Sequence, residues 1–430
     1  MKKWFCCLSF LILGIWGSSP SHAESIDSVS GTLREINEQA LRAHIQFLSD
    51  DMLEGRGVGS RGEELAIRYV ASQFEAIGLL PGGEMGTYFQ KVPMLGVTPN
   101  PSMVLRFHNG NETFSLQYEK EFIAVTPLQI PEVNLQKLEL VFVGYGIQAP
   151  EYDWDDYKGA DLKGKILLML NNDPDTGDPN FFGGKARLYY GRWDYKYQMA
   201  AKMGAEGAII IHTTPSAGYP WQVVQSSWSG EQYELPLSES AIKMQAWVTE
   251  DKMKELLKSK NIDLQSLYDA AEKREFQPMN LGLNLSIDIH STIRSLEGTN
   301  VLGLLPGNDP QLKNEVVTYS AHHDHLGIGN AVDGDTIYNG ALDNASGVAA
   351  MLTLAEAYAR LPEPPRRSVL FISLTAEESG LLGSAYYAKH PTFPPEKIAA
   401  NFNMDGINMM GRTRDLVVMG LGKTSMDPLV

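Results

Sequence analysis

Two early segments carry apolar residues at helical spacing. Leu33, Ile36, Leu41, Ile45 and Leu48 predict helix within residues 25–53, and Leu65, Tyr69, Val70, Phe74 and Ile77 predict a second helix that stops at Gly78. A Gly/Arg-rich loop, residues 54–62, lies between them. From about residue 130 the texture changes to short apolar runs and turns. Leu138–Val143, Lys165–Leu170 and Ala208–His212 read as strands, Met199–Gly207 as a short helix, and the stretch between Asn171 and Trp228 as long surface loops rich in Gly, Pro and Asp. After Thr292 the pattern becomes regular. Val301–Leu305, Glu315–Ala321, Ser368–Leu374 and Ala399–Met404 are predicted strands, with helices over Ala345–Leu361 and Gly380–Lys389. This alternation predicts an α/β fold: a mainly parallel, mixed sheet with helices on both faces, interrupted by a separate β-rich domain over 130–290. In such sheets ligands gather at the carboxyl ends of the strands.

Composition then narrows the chemistry. Lys2 and Lys3, the apolar run Trp4 to Gly17, and the small residues Ser21 and Ala23 have the form of a signal peptide, with cleavage expected before Glu24. The run is short for a membrane span, so the predicted location is secreted or periplasmic, without stable membrane association after cleavage. Both cysteines, Cys6 and Cys7, fall inside that segment. The exported chain therefore has no disulfide and no thiolate, and any metal must be held by His, Asp and Glu. The formal charge of −16 is repelled by phosphate backbones, so nucleic acid is excluded as a partner. A length of 430 residues suits two or three domains.

Four polar clusters fall just past predicted strand ends: Ala321-His322-His323-Asp324-His325, Gly340-Ala-Leu-Asp343-Asn344-Ala-Ser-Gly347, Thr375-Ala-Glu377-Glu378 and Asn403-Met-Asp405. Zinc takes imidazole nitrogens and carboxylate oxygens, and two close metals need a carboxylate between them. His322 can ligate while Asp324 accepts its other ring N–H and fixes the tautomer. In the Glu377-Glu378 pair one carboxylate can bind metal while its neighbour takes a proton from water, and adjacent carboxylates repel unless a cation compensates them. Taken singly, each cluster has a plainer reading. His323 and His325 fit a solvated loop, two glutamates at a helix start complement its dipole, and Asp343 can simply cap a helix. The recurrence of such clusters at successive strand ends favours a metal site.

These motifs, in this order and spacing, resemble the M28 family of zinc peptidases, strongly over 299–430. Leu48–Gly62 and Phe74–Gly83 look like that family's N-terminal region. Residues 130–290 resemble its protease-associated insert, through Val141–Gly146, Leu162–Lys165 and Gly204–Ala208. With the signal peptide read at 1–23, the resemblance implies a first part of the catalytic domain at 24–129, the insert at 130–290 and the catalytic metallopeptidase domain at 291–430. It implies two zinc ions, with His322 on the first, Asp343 bridging both, Asp405 completing the first and Glu378 on the second. Glu377 is then the general base, Asp324 orients His322, and the Asp343–Asn344 peptide is cis. The implied activity is that of an exopeptidase, an aminopeptidase removing N-terminal residues from peptide substrates.

One departure bears on that reading. The family's second metal also takes a histidine from a later loop, and this sequence has none after His390. The second zinc site is therefore expected to be incomplete, with the C-terminal part of the catalytic domain missing beyond Asp415–Gly420. The same fold class serves carboxypeptidases and a glutaminyl cyclase, and inactive binding proteins also resemble this family. Those alternatives stay open on sequence. Gly420-Leu-Gly-Lys-Thr424 lacks the first glycine of a phosphate loop, and neither a thermolysin-type His-Glu-x-x-His nor a serine-hydrolase Gly-x-Ser-x-Gly occurs.

Overall fold

The computed structural model describes residues 36–408 and Gly411, apart from 176, 179–180, 185–186 and 238–241. The signal-peptide segment and the Asp415–Thr424 region lie outside the described residues.

Helix α1, Glu38–Leu48, is capped by Asn37, whose side chain accepts the backbone N–H groups of Gln39 and Ala40. Asparagine suits that place because its short amide satisfies donors the helix itself leaves open. Helix α2, Arg61–Ile77, opens on a reciprocal cap: Ser60 accepts from the Glu63 N–H, and Glu63 reaches back to the Gly59 N–H at 2.5 Å. It ends at Gly78 with φ 89, a left-handed turn that favours glycine. Its buried face is Ala66, Ile67, Val70, Ala71 and Phe74, whereas Leu65 is exposed. The stripe is thus turned slightly from the predicted one, because the helix is covered on one side by the sheet and on another by the helix Ser346–Ala359.

The longer strands are β1 (Phe89–Pro99), β2 (Val104–Asn109), β3 (Glu112–Gln117), β4 (Phe122–Val125), β5 (Glu132–Phe142), β6 (Ile166–Leu170), β7 (Gly207–His212), β8 (Met244–Thr249), β9 (Met279–Leu305), β10 (Val316–His322), β11 (Gly327–Val332), β12 (Asp335–Tyr338), β13 (Ser368–Leu374) and β14 (Ile398–Asn403). The main sheet runs β14-β10-β13-β9-β5-β6-β7-β8-β4. β14, β10 and β13 are mutually parallel, and so are β5, β6, β7 and β8, while β9 joins the two halves through antiparallel pairs on either side. The predicted mixed sheet is present. Helix α3 covers Trp193–Lys202 rather than the predicted Met199–Gly207, because Gly204 already turns left-handed.

Two main cores flank β9. One takes in Met103 through Ile289, packed around β5, β6, β7 and β8. The other gathers Leu48, Val70, Phe74, Val301, Val348, Leu352, Val369 and Phe371 from α1, α2, the sheet and helix α4 (Ser346–Ala359). β13 is buried on both faces. Val369 and Phe371 point into that second core, while Leu370, Ile372 and Leu374 pack with Tyr387 of helix α5 (Leu382–Lys389). Period-two alternation of a strand buried throughout thus presents apolar side chains to helices on both faces of the sheet. The sequence changes texture near residue 290, but β9 passes through that point unbroken and belongs to both cores.

Candidate metal centre

The parallel register of β10, β13 and β14 sets His322 opposite Leu374 and Ser320 opposite Asn403. His322, the Thr375–Glu378 turn and Asp405 therefore leave the sheet at one edge. His322 and Asp324 form the floor, 2% and 0% exposed, and Asp343 and Asp405 stand at the mouth, 54% and 51% exposed. His322 Nε2 lies 3.1 Å from Asp343 Oδ1, 3.3 Å from Asp405 Oδ1 and 3.8 Å from Glu377 Oε2. Ligand atoms about 2.0–2.2 Å from a tetrahedral zinc stand about 3.3–3.5 Å apart, close to the spacing of His322 from Asp343 and Asp405. Two groups have all their ligand atoms within 4.8 Å of one another: His322, Glu377 and Asp405, and His325, Asp343 and Glu378. Asp343, which belongs to the second group, also approaches His322 of the first.

Asp324 meets His322 more closely through its backbone than through its expected carboxylate. His322 Nδ1 is 3.1 Å from the Asp324 backbone oxygen and 3.7 Å from its carboxylate. The carboxylate itself accepts the backbone N–H groups of Glu377 (3.0 Å) and Glu378 (3.2 Å). Those amides face it because Ala376 adopts φ 53, a left-handed conformation that costs a non-glycine residue and that only its surroundings enforce. One buried carboxylate thereby holds the histidine loop and the glutamate pair together.

The helix cap read at Asp343 belongs to its neighbour. The Asp343–Asn344 peptide is cis, as the family resemblance implies. Asn344, fully buried, accepts the N–H groups of Gly347 (2.9 Å) and Gly406 (3.0 Å) and donates to Met404 O (2.9 Å). It locks the Asp343 loop to the Asp405 loop, and Asp343 is left free to face the site. His323 is buried and turned into the protein, with Nδ1 2.9 Å from Ser373 Oγ. His325 is only 13% exposed and sits with Nδ1 2.6 Å from Glu378 Oε1. Neither is on a solvated loop.

Arg56 escaped sequence reasoning. It is fully buried, and its guanidinium donates to the carbonyls of His323 (2.7 Å), Asn339 (2.7 Å), Gly340 (3.0 Å) and Leu48. Burial lowers it to about 10, against the pull of Asp324, Asp343 and Glu378. The available signal was the Gly-rich setting of one arginine among several, which does not say which arginine turns inward.

Crowded acidic groups dominate the electrostatics here. Burial, followed by the charges of Glu378 and Asp405, raises Asp343. Glu377 is pushed up to about 7, by burial first and then by Glu378, Asp324 and Asp405, with His322 opposing. Burial works against the imidazolium of His322, yet Asp324, Glu377 and Asp405 outweigh it and bring the group to about 9. Arg56 spends its donors on carbonyls rather than on these carboxylates. The donor set fits zinc.

Histidine and carboxylate side chains gathered at the carboxyl edge of parallel strands define the class: an α/β protein with two groups of residues that could hold a metal ion. Comparison with known proteins adds a likeness over part of the chain: residues 300–429 match peptidase family M28. Curated relatives include leupeptin-inactivating enzyme 1 of Streptomyces exfoliatus, 34% identical over 111 residues, covering 26% of this chain and 23% of that one. Another is aminopeptidase NAALADL1 of Mus musculus, 29% identical over 113 residues, covering 25% and 13%. The matched stretch thus spans less than a quarter of either relative's length. Among solved structures, an aminopeptidase from Aneurinibacillus sp. strain AM-1 aligns over 87% of this chain and 71% of its own, at 23% identity and TM-score 0.49. BSAP, a zinc aminopeptidase from Bacillus subtilis, aligns over 86% and 69%, at 17% identity and TM-score 0.37.

Proposed function

We propose that the protein is a zinc-dependent exopeptidase, acting as an aminopeptidase on peptides through two metal positions. The observation that carries this reading is the placement of the Glu377-Glu378 pair. Both backbone amides are pinned to Asp324, with one carboxylate beside His322 and the other beside Asp343 and His325. His322, Asp343 and Asp405 would hold the first zinc, and Asp343 with Glu378 the second. Bound zinc polarises the scissile carbonyl and acidifies water. Glu377, raised to about 7 and 27% exposed, is poised to accept a proton at Oε2 from the attacking water and return it to the leaving amine. Asp324 keeps its carboxylate aimed while the proton moves. The peptidase names of the curated relatives support the substrate class. We also infer that residues 130–290 act as a protease-associated insert limiting access to the cleft, and that the protein is exported, on the signal-like residues 1–23. Among the described residues no helix is long and apolar enough to cross a membrane.

Glu377→Gln is expected to keep zinc and to lose turnover by about 10²–10⁴-fold. Loss of the zinc together with the activity would make Glu377 a ligand and exchange the roles of the pair. An aminoacyl anilide should be cleaved and its N-acetyl form should not. Equal rates on the two would remove the aminopeptidase assignment.

A further inference from the structure

The turn that carries Glu377 is backed by a segment from the 130–290 region, and we infer that residues 231–237 form a strap that positions this turn. Its effect on turnover rests on Glu377 being the base, as proposed above. After Trp228, which packs on the core around β5–β8, the chain crosses to the other half of the sheet, and Gln232–Glu234 add antiparallel to β1 with Tyr233 opposite Gly96. Both ends of the strap are fastened. Glu231 takes two bonds from the guanidinium of Arg294 in β9, at 2.5 and 2.8 Å, and the Tyr233 hydroxyl donates to it at 3.1 Å. Gly96 leaves room for this, since a Cβ there would collide with the Glu231 carboxylate. At the far end the Gln129 amide donates to Leu235 O (2.7 Å) and accepts the Leu237 N–H (2.9 Å).

Side chains two apart in an extended segment share a face. Tyr233 and Leu235 accordingly pack together on a small apolar cluster of Val58, Val92, Met94 and Ala376, apart from the two main cores. Ala376 immediately precedes Glu377 and is fully buried at φ 53. A non-glycine residue keeps such a conformation only where its surroundings fix it. Asp324 holds the two amides that follow Ala376, and the strap closes the apolar cluster around Ala376 itself. Tyr233 and Leu235 are therefore positioning residues, acting on Glu377 through the turn.

Amide hydrogen exchange of the full chain in excess zinc tests the strap without reference to activity. Tyr233→Ala is expected to speed exchange at Glu377 and Glu378 by about tenfold, and Tyr233→Phe, which keeps the ring, to restore it. Unchanged exchange in Tyr233→Ala would overturn the strap. Turnover of an aminoacyl anilide is read alongside. In Tyr233→Ala with zinc retained, kcat should fall by about 10- to 100-fold while KM stays within about twofold. A rise in KM alone would make the strap a wall of the substrate cleft and refute its positioning role. Faster exchange with kcat unchanged would keep the strap and remove Glu377 as the base. Glycine takes positive φ without strain, so adding Ala376→Gly should shrink the losses, and losses of the same size would overturn the route through this turn. Leu235→Val, one methylene smaller, gives the same comparison if Tyr233→Ala does not fold.

Discussion

His322 shows how far one side chain's environment can move it. Carboxylates surround a buried imidazole and hold its charged form to about 9 in the metal-free chain, yet a zinc ligand must be neutral. Zinc uptake at pH 8 should therefore release about one proton from this group. Calorimetric titration in two buffers of different ionisation enthalpy would read that proton directly. Identical heats in both buffers would mean that His322 is already neutral. The stability of chelated protein carries the same signature. The folded value of His322 lies above its ordinary 6.5, so its contribution is complete below pH 6.5 and is lost as pH rises through about 9. Glu377 acts in the same direction over a lower window. Its folded value of about 7 exceeds the ordinary 4.5, so ionising it in the folded state lowers stability as pH climbs between those values.

At the scale of elements, the site is made by loops that meet, and Arg56 is where they are tied. Glu54, Gly55 and Arg56 are consecutive residues at φ 50, 68 and 53. A Cβ on Gly55 would sit 2.4 Å from Tyr338 O and 2.6 Å from Gly327 O, so glycine lets this loop press against the β11–β12 hairpin. From there the guanidinium spans the end of α1, the segment after β10 and the loop before Asp343. Arg56→Met would leave those carbonyls buried without donors, and should cost about 3–5 kcal/mol in urea denaturation of the metal-free protein. Arg56→Lys should fall between, since an ammonium cannot reach all four carbonyls. An unchanged midpoint in Arg56→Met would show that water or other donors replace the guanidinium. The strands and helices that deliver the ligands were legible in sequence to within a few residues, from Val316–His322 to Ile398–Asn403. Their apolar runs are continuous or strictly periodic. Arg56 and Asn344 were not legible in their roles, because what they do depends on carbonyls and amides brought near from other segments.

On the scale of the whole molecule, two apolar cores share one strand. Only the core built from α1, α2, α4 and the β10–β13 half of the sheet adjoins the metal centre. Binding to the native state raises stability by mass action, and if the cores unfold as separate units the gain should appear in one of them. Scanning calorimetry is expected to resolve two transitions, with zinc shifting only the one that belongs to the metal-binding core. A single transition that moves as a whole on adding zinc would show that β9 couples the cores into one cooperative unit.

By itself the sequence determined the sheet-and-helix alternation and the kind of chemistry its polar clusters can perform. Periodicity is a local property, and histidine and carboxylate clusters at strand ends declare their ligand character wherever they lie. It also set both cysteines, Cys6 and Cys7, far along the chain from the polar clusters, whose donors are nitrogen and oxygen. The tertiary structure decided which of those residues meet. His322 approaches Asp343 and Asp405 because parallel pairing aligns three strand ends, a register set by the packing of both sheet faces. The same packing buries His323, brings His325 to Glu378 and lets Asp324 serve two loops at once. Such outcomes depend on contacts between residues far apart in the chain, which no local pattern of apolar and polar positions can encode.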